Sequence, residues 1–318
     1  KNMKNNQDQP LVDALGPQLQ TNVPLTNHTS FKIGGPADLF YPAKTQKQLI
    51  KAVKLATEHQ IPFQVLGSGS NVLVTDKGYR GLIIKNKTTK ITSSKLPNTP
   101  HTLIHAQSGL PANKLIQYTI KNNLKGLASF LGLPGTVGGA IYNNSHHLDK
   151  LIGDYVQKVK VITPSQSIKT YTQKQMHFSY DYSILHQTKD IVLSATFRLK
   201  SDNSSNLHKI GKKAVQRRVD TQPLNMPSSG CIFQNITKKQ AKKIDAPTQS
   251  TGYLIDQANL KSKTIGGAQI STKHANFIVN KGNATFQDVQ KLIKLIKKEL
   301  KQKYNLTPKL EIFILGQT

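Results

Sequence analysis

Apolar positions along the chain follow two rhythms. Between 46 and 59, Leu49, Ile50, Val53, Leu55 and Ala56 recur at helical spacing with Lys and Gln between them, which predicts an amphipathic helix. A second such segment covers 112–123, and a Lys/Arg-rich one runs from about 207 to Arg218. The clearest helix is 286–303, where Val289, Leu292, Ile293, Ile296 and Leu300 form one stripe on an otherwise Lys-rich surface. Short apolar runs predict strands at 62–66, 71–75, 81–85, 157–163, 190–199 and 309–315. The stretch 87–101, rich in Lys, Thr, Ser and Pro, reads as a loop or exposed hairpin, and 236–251 as a polar loop. Residues 1–20 are polar and expected to be loosely ordered. The polar run 201–206 is the best domain boundary.

Two glycine loops interrupt this pattern. Gly67, Ser68, Gly69, Ser70 and Asn71 lie between two apolar runs, the second starting at Val72. The glycines permit positive φ and a close approach of ligand to backbone. Successive N–H groups in such a turn make a concave anion site, to which Ser68, Ser70 and Asn71 add donors. No helical pattern follows, so Rossmann and P-loop readings fit poorly, and an ordinary hairpin turn stays open. The second loop runs from Gly132 through Pro134, Gly135, Thr136, Gly138 and Gly139 to Ala140. So many glycines, with a proline, are not expected in a helix or strand interior. Together the loops suggest a dinucleotide held mostly by main chain.

Composition narrows the class. The chain has 318 residues, 36% hydrophobic and without Trp, low for a globular enzyme but outside the disordered range. No apolar run approaches the roughly 18 residues needed to span a bilayer, and the first residues carry no signal-peptide core. A soluble, cytoplasmic protein without membrane insertion is expected. The single Cys231 rules out an internal disulfide and agrees with a reducing compartment. The net charge of +28 raises nucleic-acid binding. Yet the basic residues are nearly all scattered lysines, without a recognition motif. Any such binding is expected to be weak, salt-dependent and without sequence preference. A basic surface would also steer small anionic ligands. No metal-ligand spacing occurs; His146 and His147 are the only His pair, and neighbours on a strand face opposite ways.

Six segments in order carry a family resemblance: NHTSFKIGGPAD (27–38), GSGSNVLVTDKGYRG (67–81), GLPGTVGGAIYNN (132–144), QPLNMPSSGCIFQN (222–235), IGGAQISTKHANFIVN (265–280) and LEIFILG (310–316). The chain resembles the UDP-N-acetylenolpyruvoylglucosamine reductase (UDP-N-acetylmuramate dehydrogenase) family, in its shorter type without an inserted substrate loop. The resemblance implies an α+β fold. A two-subdomain FAD-binding region of vanillyl-alcohol-oxidase (PCMH-like) type would cover 21–200, after a polar segment 1–20, and a substrate-binding domain would cover 207–318. It also implies FAD and NADPH as cofactors, UDP-N-acetylglucosamine enolpyruvate as substrate, and a place in peptidoglycan synthesis. FAD would be held by Gly67, Ser68, Gly69, Ser70, Asn71 and Val72, and by Gly132, Pro134, Gly135, Thr136, Gly138, Gly139 and Ala140.

In the implied reaction a hydride reaches C3 of the enolpyruvyl ether and a proton reaches C2. Cys231 stands where the family usually has a serine proton donor; a free thiol, with a pKa of about 8.5, gives up a proton more readily than a hydroxyl. Glu311 matches the family's catalytic glutamate, and Tyr180 and Asn235 match substrate-binding positions. Read without the resemblance, Cys231 would be a buried small hydrophobe, Glu311 a solvent-facing strand residue and Tyr180 a core tyrosine. Three departures fall on the substrate side. Asp181 replaces the catalytic arginine, Thr221 replaces a lysine, and 143–147 (NNSHH) replaces a run of small residues. An active enzyme would then need another group opposite the substrate carboxylate. Either Asp181 in protonated form, or His146 or His147 paired with Asp181, would serve; the histidines are preferred because both departures map near one site. Two rival readings remain: a FAD-binding homologue whose reductase activity is lost or altered, and a nucleic-acid-binding protein.

Overall fold

A computed structural model describes residues 9–202 and 206–316. Residues 203–205 of the boundary expected at 201–206 lie outside these residues, as do residues 1–8 of the polar N-terminal segment. The rest of that segment is not loose: Gln9–Leu15 is a helix, and Leu11 and Leu15 join a hydrophobic core. Spaced by four, they share one helical face, which a composition-based reading overlooks.

Contacts divide the described chain into two compact units, cut differently from a boundary near 200. One contains 38–68 and 81–217 with the N-terminal residues; the other contains 23–37, 69–80 and 218–318. In the first unit, the strands Gln20–Pro24, Pro36–Ala43, Tyr79–Asn86 and Phe63–Leu66 follow one another across a sheet. Phe63–Leu66 runs parallel to Tyr79–Asn86. The helix Gln46–Glu58 buries Leu49, Ala52, Val53 and Ala56, and a Thr45/Gln48 capping box starts it. A second, antiparallel sheet orders Ile168–Thr172, Val156–Ile162, Ile191–Ser201, His101–Gln107 and Ile91–Lys95. The last two form a hairpin; Ile91–Lys95 falls in 87–101 and is largely exposed, but its partner His101–Gln107 runs beyond that stretch and buries every second residue. Period-two residues Ile104 and Ala106, Val159 and Val161, and Ala195 and Phe197 share a core with Leu115 and Ile116 of the helix Ala112–Lys121.

In the second unit, a three-stranded antiparallel sheet, Thr264–Ile265, Ala268–Ile270 and Ile278–Asn280, lies under the helix Phe286–Tyr304. That helix buries the predicted stripe Val289, Leu292, Ile293, Ile296 and Leu300. The terminal strand is shorter than expected, Phe313–Leu315, and pairs in parallel with Val72–Val74. The polar stretch 236–251 is not all loop. Lys238–Lys243 forms a short helix, because Thr237 and Gln240 make a capping box and Ala241 is buried.

One lysine weakens this fold near neutral pH. Burial, with Lys87 nearby, lowers the pKa of Lys85 to about 8. Between about 8 and 10.5 the folded protein therefore binds fewer protons here than the unfolded chain, so stability should rise with pH through that window. Below it the full cost of charging a buried amine applies. Lys85→Met should raise the thermal midpoint at pH 7 and flatten the rise, as read by denaturation from pH 7 to 10.5.

Candidate functional site

In the first unit, the two glycine loops meet. A Cβ on Gly67 would lie 2.5 Å from Thr136 Oγ1, so only glycine permits this approach. Thr136 is also an N-cap, its Oγ1 accepting from Gly139 N–H at 3.4 Å. Contrary to the expectation from glycine content, Val137–Tyr142 is a helix with Gly138 and Gly139 in its first turn. The Thr136 cap, and bonds from Val137 N–H to Leu110 C=O and from Gly138 N–H to Ser108 C=O, hold a turn that propensity disfavours. Gly132 N–H reaches Asn113 Oδ1 at 2.8 Å, fixing the loop's start. Close by in sequence, Ser129 Oγ and Asn143 Oδ1 are buried without a hydrogen-bond partner among the described residues. A closely approached backbone, with orphaned polar atoms near it in sequence, fits a ligand that makes hydrogen bonds.

Beyond that helix the chain is stitched to the segment 178–183. Asn144 Nδ2 donates to Ser179 C=O at 2.7 Å, and Ser183 Oγ to Tyr142 C=O at 2.6 Å. This brings His146 to Asp181, Nδ1 to Oδ1 at 3.2 Å, the pairing anticipated from the sequence. Tyr180, partly exposed rather than a core residue, lies over the His146 ring with centroids 4.7 Å apart.

In the second unit, Gly69 has φ +72, and a Cβ there would lie 2.4 Å from the His28 carbonyl oxygen. Asn71 spends a side-chain N–H on Glu311 C=O at 3.1 Å, so part of its donor capacity serves the protein itself. Glu311 N–H donates to Ile232 C=O at 2.9 Å. Ile232 N–H in turn donates to Asn276 C=O, and the buried Asn276 side chain bonds both the N–H and the C=O of Phe233. Cys231 is half-buried and bridges to Phe277. The backbone of Glu311 is thus paired with that of Ile232, the residue after Cys231. Asn235 accepts from Thr251 N–H at 3.3 Å.

Sequence reasoning missed Arg218. Burial pushes its guanidinium below the ordinary arginine value, and Cys231 lies close enough that a thiolate there would pull it back up. Arg218 Nε is buried without a hydrogen-bond partner among the described residues. A signal existed: Leu207, Gly211 and Ala214 are the buried positions of its helix, and 218 continues that stripe.

Residues 222–315 match the family described as UDP-N-acetylenolpyruvoylglucosamine reductase, C-terminal domain, and 37–171 match an FAD binding domain family. A UDP-N-acetylenolpyruvoylglucosamine reductase from Caldanaerobacter subterraneus subsp. tengcongensis is 37% identical over 300 residues, 94% of each chain. The chain belongs to the UDP-N-acetylenolpyruvoylglucosamine reductase family. A reductase of the same name from Bacillus pumilus is 36% identical, covering 100% of this chain and 99% of its own. Among solved structures, the UDP-N-acetylenolpyruvylglucosamine reductase of Thermus caldophilus superposes with a TM-score of 0.76 at 29% identity, over 94% of this chain and 99% of that one. The α+β fold and the FAD-binding character expected from the sequence are those of this reductase family. Among the described residues, no helix is long and apolar enough to cross a membrane.

Proposed function

We propose that the protein is a cytoplasmic, NADPH-dependent reductase that converts UDP-N-acetylglucosamine enolpyruvate to UDP-N-acetylmuramate in peptidoglycan synthesis. The observation that carries this reading is the 2.9 Å hydrogen bond from Glu311 N–H to Ile232 C=O, which pairs the backbone of Glu311 with that of the residue after Cys231. FAD would be held by Gly67, Ser68, Gly69, Ser70, Asn71 and Val72 and by the loop from Gly132 to Ala140. Bound there, it supplies hydride chemistry between NADPH and C3 of the enolpyruvyl group.

What remains for the chain is charge and a proton. Addition at C3 leaves negative charge at C2 and on the adjacent carboxylate. Cys231 gives its proton to C2, and the Arg218 guanidinium beside it stabilises the thiolate left behind. Glu311 is held at its N–H by Ile232 and at its C=O by Asn71, which fixes the backbone that carries its carboxyl. It shares a proton at the same centre. Asn235 and Tyr180 bind the nucleotide-sugar substrate.

A second reading, a FAD-binding homologue with lost or altered activity, draws on one observation: a carboxylate, Asp181, stands at the expected cation position. One assay separates them. FAD-loaded protein is given NADPH with and without the enolpyruvyl nucleotide sugar, and NADPH consumption is followed. Consumption that depends on the sugar supports the reductase; none in protein that retains FAD supports the second reading.

A further inference from the structure

The site around Asp181 carries more than a pairing. Asp181 is 8% exposed, and its second oxygen, Oδ2, is buried with no hydrogen-bond partner among the described residues. A half-satisfied buried carboxylate is costly and calls for a cation or a donor. Its backbone is left-handed, φ +48, a conformation Asp tolerates better than most residues and one concentrated at functional sites. His146 Nδ1 is engaged by Asp181, so Nε2 is the ring nitrogen that remains for a ligand. Tyr180 packs against the ring at a tilt of 42°.

Neighbouring groups do not fill the same role. Burial lowers the pKa of His186 from the usual imidazole value, the Tyr142 backbone and Asp181 offsetting this only in part, and its ring packs against Tyr142 and Tyr182. His147 sits opposite Lys150 across the hairpin, on the other side of the strand from His146. His146 is the histidine that lies within hydrogen-bonding distance of the carboxylate.

The geometry points to His146, oriented by Asp181, as the group that receives the substrate's carboxylate in this chain; the inference rests on the reductase reading above. A carboxylate only accepts hydrogen bonds, and a bare Asp181 would repel it. With Nδ1–H on Asp181, a proton at Nε2 makes the ring a donor to a second anion and places one positive charge between two negative ones. Asp181 touches the ring rather than the substrate and is therefore a positioning residue.

The test compares two ligands that differ in the carboxylate-bearing group: UDP-N-acetylglucosamine enolpyruvate and UDP-N-acetylglucosamine. Both are titrated calorimetrically into the FAD-loaded full chain. The wild type should prefer the enolpyruvyl form. His146→Gln should cut that preference about tenfold or more while leaving affinity for the parent sugar nucleotide unchanged. Asp181→Asn should lose part of the same preference, and the double variant should lose no more than His146→Gln alone. Should His146→Gln lose FAD, His146→Lys keeps a cation at the position and should keep the preference. Undiminished preference in His146→Gln, or its loss in a folded His146→Lys, overturns the proposal while the reductase reading stands. A wild type that binds neither nucleotide sugar overturns both.

Discussion

Gly69→Val should yield a protein that purifies without flavin colour and takes up no FAD on reconstitution. Two effects act together. The backbone at Gly69 has φ +72, which for a β-branched side chain costs of order 1–3 kcal/mol. The new Cβ would also meet the His28 carbonyl oxygen at 2.4 Å and Thr29 Cα at 2.9 Å. Both obstacles are backbone, so neither can swing aside, and the Ser30 N–H to Gly69 C=O bond that closes the turn would break. The loop then has no route to its present shape. Flavin absorbance per mole of protein, before and after incubation with excess FAD, measures the outcome. Circular dichroism on the same samples separates loss of the loop from loss of the fold. A variant that keeps stoichiometric FAD would remove the loop from the cofactor site.

Cys231→Ala should lower turnover by about a hundredfold to ten-thousandfold, the usual contribution of a positioned general acid. The loss should appear only in the second half-reaction, in which the substrate takes the hydride at C3 and the proton at C2. Reduction of the bound flavin by NADPH under anaerobic conditions should proceed at the wild-type rate, while its reoxidation by the enolpyruvyl nucleotide sugar slows. Cys231→Ser should recover much of the lost rate, since a hydroxyl at the same backbone position can also donate. The backbone that aims the side chain is anchored independently, through Ile232 N–H on Asn276 and Glu311 N–H on Ile232. Truncation at Cβ therefore removes the proton without moving the neighbours. Equal reoxidation rates in Cys231→Ala and wild type would exclude the thiol as donor.

Features written in local periodicity could be read from sequence alone. The helix Phe286–Tyr304 matches its predicted span because one apolar stripe determines both its existence and its buried face. The glycine loops were legible because close approach leaves glycine as its trace. The helix Val137–Tyr142 was hidden for the same reason. Its glycines argued against a helix, and the bonds to Ser108 and Leu110 that hold it come from residues distant in sequence. Arg218 was obscured by charge: among so many basic residues, one on a buried stripe looks like the rest. The His146–Asp181 pair was anticipated, but that Asp181 is buried with one oxygen unpartnered is tertiary information. The assembly of the second unit from 23–37, 69–80 and 218–318 has no local signature, because its pairings depend on register between distant strands.

The parallel pairing of Val72–Val74 with Phe313–Leu315 has a consequence for biosynthesis. As the chain leaves the ribosome, the segment that follows the first glycine loop waits for a partner made much later; Asn71 and the Glu311 carbonyl it grips are 240 positions apart. Contacts this distant form late, since loop-closure entropy must be met before they add stability. Flavin capture by the Gly69 turn then waits until Phe313–Leu315 has been made, and a nascent chain stalled short of Phe313 would carry an unpaired, apolar Val72–Val74 edge for chaperones to cover.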